Sequence, residues 1–129
     1  MTTRFILIMQ HAPTEGQIKA ASEGGREVVQ LADKSLLMVP EVPALPKAWF
    51  ESQAEKIAAA VGGFKEGDTV HAVGESVLAL AVQALARKAG CDCVVSVTTR
   101  NNVDKPQPDG SVKSVSVFVF MGFRPVYEF

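Results

Sequence analysis

Phe5-Ile6-Leu7-Ile8-Met9 is an unbroken run of five apolar residues. It is too short to span a membrane or to form a signal-peptide core, and it has no alternating polar positions, so it is expected to be a strand buried on both faces. Such a strand belongs to a parallel sheet covered by helices, and its neighbours must then alternate with helices. The rest of the chain does so. Thr14, with Gln17 three residues later, has the spacing of a capping box. A short helix is expected from there to about Ser22, stopped by Gly24-Gly25. Glu27–Leu31 reads as a second strand. Trp49–Val61 has helical periodicity through Phe50, Ala54, Ile57, Ala58 and Val61, and Gly62-Gly63 ends it. Gly67-Asp68 is a turn before a third strand, Thr69–Val73. Gly74-Glu75-Ser76 then opens a helix running to Ala89, and Cys93–Val97 is the fourth strand.

Two stretches depart from this alternation. Between Asp33 and Lys47, Pro40, Pro43 and Pro46 forbid a continuous helix or a central strand. An ordered, irregular connection is expected there, with a short extended piece at Leu36–Val39. After the turn signal Pro108-Asp109-Gly110, the segment Val112–Phe120 alternates and is rich in Val and Phe, as a long strand would be. Its expected partner is Arg100–Lys105. The reading is a single α/β domain over residues 1–129, Rossmann-like. It has a mostly parallel sheet, helices on both faces and a C-terminal antiparallel β-hairpin.

Among 129 residues, 47% are hydrophobic, enough for a core, and the net charge is −1. That balance argues against long nucleic acid as a partner, which needs a broad basic field, but leaves room for a short or cyclic nucleotide. No membrane partner is expected. Cys91 and Cys93 stand too close together for an ordinary disulfide and are expected to act as small apolar residues at the start of a strand. A reduced, cytoplasmic setting follows as the expectation.

Ligands of open parallel sheets bind outside the carboxyl ends of the strands. Three loops are picked out by that rule: Gln10–Thr14, Gly74-Glu75-Ser76 and Thr98–Asn102. Two of them lead into helix starts, where free N–H groups favour phosphate. His11 is the candidate proton-transfer group, or a phosphate donor, against the plainer reading of a loop histidine that caps backbone. His71, mid-strand, is expected to be a core or face histidine. Arg100 suits bidentate phosphate recognition and stabilisation of a pentacoordinate transition state. Gln10, Thr14, Ser76, Thr98, Thr99 and Asn101 can hydrogen-bond a phosphate or ribose. Gly74 allows close approach of a ligand to the backbone. Glu75 suits the helix dipole but opposes an adjacent phosphate, so a ribose hydroxyl or an adenine amine fits it better. No dinucleotide fingerprint is present, and neither a metal nor another cofactor is expected. Any phosphodiester chemistry is therefore expected to be metal-independent.

Several segments together carry a family likeness. They are Met9-Gln10-His11-Ala12-Pro13-Thr14 with Gln17, the Val73-Gly74-Glu75 loop, Ser96-Val97-Thr98-Thr99-Arg100, and Pro108-Asp109-Gly110-Ser111-Val112-Lys113. In this order they resemble the small CRISPR-associated ring nucleases of type III systems. The pattern there is a Ser-His-x-Leu-Thr-type loop, a Ser-Thr-Thr-x-Arg segment and a Pro-Asp-Gly-Ser-Val-Lys hairpin. Here Gln10 replaces the serine and Pro13 the leucine. The resemblance implies a CARF-like fold and a homodimer with its ligand across the two-fold axis. It also implies cleavage of a cyclic oligoadenylate, most often the tetra-adenylate ring, which switches off antiviral signalling. The alternatives are a sensor or sponge that holds the ring uncut, a subunit that only dimerises through its long C-terminal strands, and an unrelated nucleotide enzyme on the same fold.

Overall fold

A computed structural model describes residues 2–129. The chain runs β1 (Arg4–Ile8), α1 (Glu15–Ala21), β2 (Glu27–Gln30), α2 (Lys47–Ala60), β3 (Thr69–Ala72), α3 (Ser76–Lys88), β4 (Asp92–Pro106) and β5 (Val112–Pro125). One five-stranded sheet has the order β2-β1-β3-β4-β5. The first four strands are parallel and β5 is antiparallel to β4. This is the α/β architecture expected, with the terminal hairpin in place.

The apolar run at β1 is covered on both sides, as its lack of polar positions requires. Ile6 and Ile8 pack with Val70, Ala72, Ala54, Ile57, Leu78 and Val82, so α2 and α3 cover one face. Phe5 and Leu7 point the other way, toward Ala21 and Ile18 of α1, with Val94 and Phe123. Phe5, Ile6, Leu7 and Ile8 are all at most 1% exposed. Among the described residues no helix is long and apolar enough to cross a membrane.

Three boundaries differ from the sequence reading. The helix expected from Trp49 starts at Lys47, because Pro46, at φ −72°, supplies a preset N-cap. The extended piece expected at Leu36–Val39 is instead a 3-10 turn over Lys34–Leu37, held by the Asp33 carboxylate accepting from Ser35 N at 3.1 Å. The third is the largest. Thr98–Asn102 is not a loop but the middle of β4, a strand of fifteen residues. Only Asp92, Cys93 and Val94 pair with β3. Beyond them β4 pairs with β5 alone, out to Pro106 opposite Val112. The two strands therefore continue past the carboxyl edge of the sheet as a two-stranded arm. The register slips by one residue between Val97 and Thr98, where Met121 is the extra residue on β5.

An ion pair closes the opposite, amino edge. Asp68, 3% exposed, accepts from Arg4 N and Arg4 Nε, both at 3.0 Å, and from Lys65 N at 3.2 Å. Arg4 also donates to the carbonyls of Val61 (2.9 Å) and Gly63 (2.6 Å). One guanidinium thus ties the end of α2 to the starts of β1 and β3. Burial acts to raise the Asp68 pKa, but the bonds and charge of Arg4 outweigh it and hold the carboxyl below its ordinary value.

Candidate functional site

With the order 2-1-3-4, the chain leaves β1 toward β2 and leaves β3 toward β4, so the loops after β1 and β3 diverge. This is the topological switch point at which open α/β sheets bind ligands. Val73 N donates to Ile8 O at 3.2 Å, the last tie between the two strands before the loops separate. On one side stand Gln10, His11 and Thr14, all exposed; on the other stand Gly74, Glu75 and Ser76, also exposed. Gly74 has φ +141°, a conformation that side-chain-bearing residues rarely adopt, and a Cβ there would meet nothing within 4 Å. The backbone at the switch point is thus open to close approach.

The helix starts are less free than their sequence suggests. In α1, Gln17 N donates to Thr14 Oγ1 (3.2 Å) and Thr14 N donates to Gln17 Oε1 (2.9 Å), the reciprocal box that the spacing predicts. The Thr14 hydroxyl is therefore already a cap. In α3 the cap is Glu75, whose carboxylate accepts from Leu78 N at 2.8 Å. A carboxylate on that helix end repels a phosphate placed beside it and suits a hydroxyl or amine donor.

Strand geometry sorts the third group of candidates. Side chains alternate along β4, and Val94 lies on the α1 face of the sheet. Ser96, Thr98 and Arg100 follow it on that face, while Thr99 and Asn101 point to the opposite one. Thr98 and Arg100 therefore lie on the face that α1 covers, and Thr99 and Asn101 do not, which corrects the expectation that all four share one loop. Thr98 pairs with Phe120, whose ring lies 3.5 Å from where a Cβ on Gly16 would stand, so the first turn of α1 reaches the base of the arm. The Arg100 guanidinium lies 5.1 Å from the ring centroid of its cross-strand partner Phe118. Phe118 is 65% exposed, so the pair offers a cation and an aromatic face together.

Two groups escape the sequence reading. Lys34 Nζ donates to Met9 O at 2.7 Å, placing a cation at the carboxyl end of β1. The rule that selects the other three loops applies equally to the one after β2, where Lys34 sits. The second group is a buried chain beneath the rim. Gln17 Nε2 donates to Ser96 Oγ (3.0 Å), which lies 2.7 Å from His71 Nε2. It links the α1 start to β4 and β3, three segments distant in sequence, so no local pattern announces it.

His71 is 1% exposed and its Nδ1 has no partner among the described residues, in keeping with a core rather than a reactive histidine. Burial pushes its pKa down to about 4. The unfolded chain takes up the proton near pH 6.5 and the folded chain does not, so stability is complete above that pH and falls as pH drops toward 4. The loss reaches about 2 kcal/mol at pH 5. Urea unfolding at pH 7 and pH 5 measures it, and His71→Gln is expected to flatten the dependence. An equally steep loss in that variant would assign the effect elsewhere.

Cys91 and Cys93 are buried, and their thiols donate to the carbonyls of Lys65 (3.2 Å) and Gln83 (3.6 Å). Burial raises both pKa values, that of Cys91 to about 11, so neither is a ready thiolate. Among the described residues no three His, Cys, Asp or Glu side chains stand together as a metal site.

No curated protein and no solved structure matches the chain. A family model does match, over residues 3–124, from the residue before β1 nearly to the end of β5. The chain belongs to the family described as the Uncharacterized protein MJ1673 family.

Proposed function

We propose that this protein is a ring nuclease, a homodimeric phosphodiesterase that binds a cyclic oligoadenylate, the tetra-adenylate ring foremost, and opens it to end type III CRISPR signalling. One observation carries the reading most. Thr98 and Arg100 lie on the α1 face of the arm that leaves the sheet at its carboxyl edge, the edge from which the His11 loop and the open Gly74 backbone also emerge. These are the segments in which the sequence resembles the ring nucleases.

An RNA-type linkage contains its own nucleophile. The 2′-oxygen forms a bond to phosphorus, the bond from phosphorus to the 5′-oxygen breaks, and the products are a 2′,3′-cyclic phosphate and a 5′-hydroxyl. The 2′-proton leaves to a base, the role given to His11, and water protonates the departing 5′-oxygen. Holding the attack in line can contribute roughly 7–11 kcal/mol. Arg100 and the backbone at Gly74 would stabilise charge on the phosphoryl oxygens. Lys34 adds a cation at the rim, and Phe118 offers a face for an adenine to stack on. Glu75 would meet a ribose hydroxyl or the adenine amine. Gln10, Thr14 and Ser76 are left as peripheral contacts.

One observation favours the second reading, a sensor or sponge that binds without cutting: no hydrogen bond orients the exposed His11 among the described residues. The same experiment separates the two. Pure protein is incubated with labelled cyclic tri-, tetra- and hexa-adenylate, with and without EDTA, and the products are resolved. A linear product ending in 2′,3′-cyclic phosphate, formed equally in EDTA, is expected. A 3′-hydroxyl product, or loss of activity in EDTA, would defeat the mechanism. Tight binding with no product would make the protein a sensor.

A further inference from the structure

We infer that two copies of this chain join edge to edge through β5, forming one continuous sheet across a two-fold axis near Val117. The nuclease reading calls for a dimer but does not say which surface makes it.

The observation is the arm. Among the described residues, β4 beyond Val94 has no neighbour but β5, and β5 has no neighbour on its other side. Its outer edge presents a row of unpaired main-chain donors and acceptors, which only another strand can satisfy in order. Val112–Phe120 contains neither proline nor glycine and carries one charge, Lys113. Of the devices that keep a free edge apart from other strands it has only Lys113 near one end and the bulge at Met121 just past the other, and the stretch Ser114–Phe120 between them has none. A two-stranded ribbon standing alone is also marginal in water, and Val117 and Val119 remain 41% and 39% exposed.

A second β5 is the occupant that fits. Antiparallel pairing about Val117 sets Val115 opposite Val119 of the other copy, a β-branched pair on one face, and Lys113 opposite Met121, so no like charges meet. The arrangement closes, because the other edge of the sheet is β2, a strand of four residues. Pairing over Ser114–Phe120, the regular stretch that stops short of the bulge at Met121, buries about 480 Å² in total, for a strip about 24 Å long and about 10 Å high on each copy. That area, with its main-chain ladder, matches a reversible dimer rather than an obligate one. A two-fold axis normal to the sheet also puts both Arg100–Phe118 pairs on the same face of a four-stranded ribbon. There, on the proposed reading, a two-fold ring could meet both.

The test needs no nucleotide, so its failure and that of the nuclease reading are distinguishable. Sedimentation of the full chain over a wide concentration range is expected to show a monomer–dimer equilibrium. Single cysteines placed in turn from Val115 to Val119 are then oxidised, with Leu80→Cys, at an exposed position of α3, as control. Crosslinked dimer is expected to peak at Val117→Cys, because Cα atoms paired across an antiparallel axis lie within disulfide reach. The buried Cys91 and Cys93 leave the unmodified chain uncrosslinked. Val117→Lys, which sets like charges against each other on the axis, is expected to weaken the dimer roughly tenfold with little change in Tm. A monomer at every concentration would overturn the inference. So would crosslinking at Leu80→Cys with none from Val115 to Val119, or an undiminished Val117→Lys dimer.

Discussion

Arg100→Ala is expected to slow opening of the cyclic tetra-adenylate ring by roughly 10²–10³-fold, the loss typical when one charge-stabilising donor is removed from a phosphoryl or acyl transition state. The fold should not notice. Arg100 is exposed on the arm, its aromatic neighbour is the ring of Phe118, and surface substitutions of this kind stay within about 0.5 kcal/mol. Arg100→Lys separates charge from shape. A lysine keeps the positive charge but loses the planar fork that meets two phosphoryl oxygens at once, so an intermediate rate is expected. Single-turnover rates for wild type, both variants and His11→Ala, each with its Kd for the ring, decide the matter. A loss confined to rate places the guanidinium on the transition state, whereas a loss confined to Kd makes it an anchor. Full activity in both Arg100→Ala and His11→Ala would remove these two residues from the site.

Asp68→Ala is expected to cost about 3–5 kcal/mol of folding stability. The carboxylate is nearly inaccessible and accepts from the Arg4 main chain, the Arg4 guanidinium and Lys65 N. Its removal strands a guanidinium whose side chain is only 12% exposed, with two carbonyls but no anion. For a domain with about 5–15 kcal/mol in all, this is a large share. Tm should fall by about 10–20 °C. Replacing both partners together, Arg4→Met with Asp68→Leu, should recover much of the loss, because no charge is then left buried without its mate. Because the Asp68 carboxyl is held below its ordinary pKa, its contribution is present above about pH 3.8 and is lost as pH falls through the folded value. Thermal and urea unfolding of the three proteins measures this. A cost below about 1 kcal/mol for Asp68→Ala would mean that the pair contributes little net stability.

The site is partly legible in the sequence alone. His11, Gly74 and the capping pair Thr14–Gln17 follow strands or open helices in ways that local pattern reveals, and each stands where that pattern puts it. Glu75 suits the helix dipole by its position in the chain, and it is the cap of α3. For Arg100 the local pattern points to the correct edge but to the wrong element. Two threonines, an arginine and two asparagines in succession look like a loop because strand propensity is weak and depends on the partner. Here β5 supplies that partner over thirteen register pairs, which turns the supposed loop into a strand and sends Thr99 and Asn101 to the far face. Phe118, in sequence, is one more residue of an alternating strand. Its exposure, and its place against Arg100, follow from a register that the sequence does not state.

What the chain determines locally is therefore clear. An apolar run without polar alternation must be a strand buried on both sides, glycines and prolines must punctuate, and a threonine three residues before a glutamine can close a helix start. These depend on sterics and on hydrogen bonds within a few residues. Tertiary structure alone decided how far β4 continues, which side chains share the α1 face, and that Arg4 meets Asp68 and His71 meets Ser96. Each of those requires two distant segments to be paired in one register, and the energy that selects the register is shared across the whole sheet rather than contained in either segment.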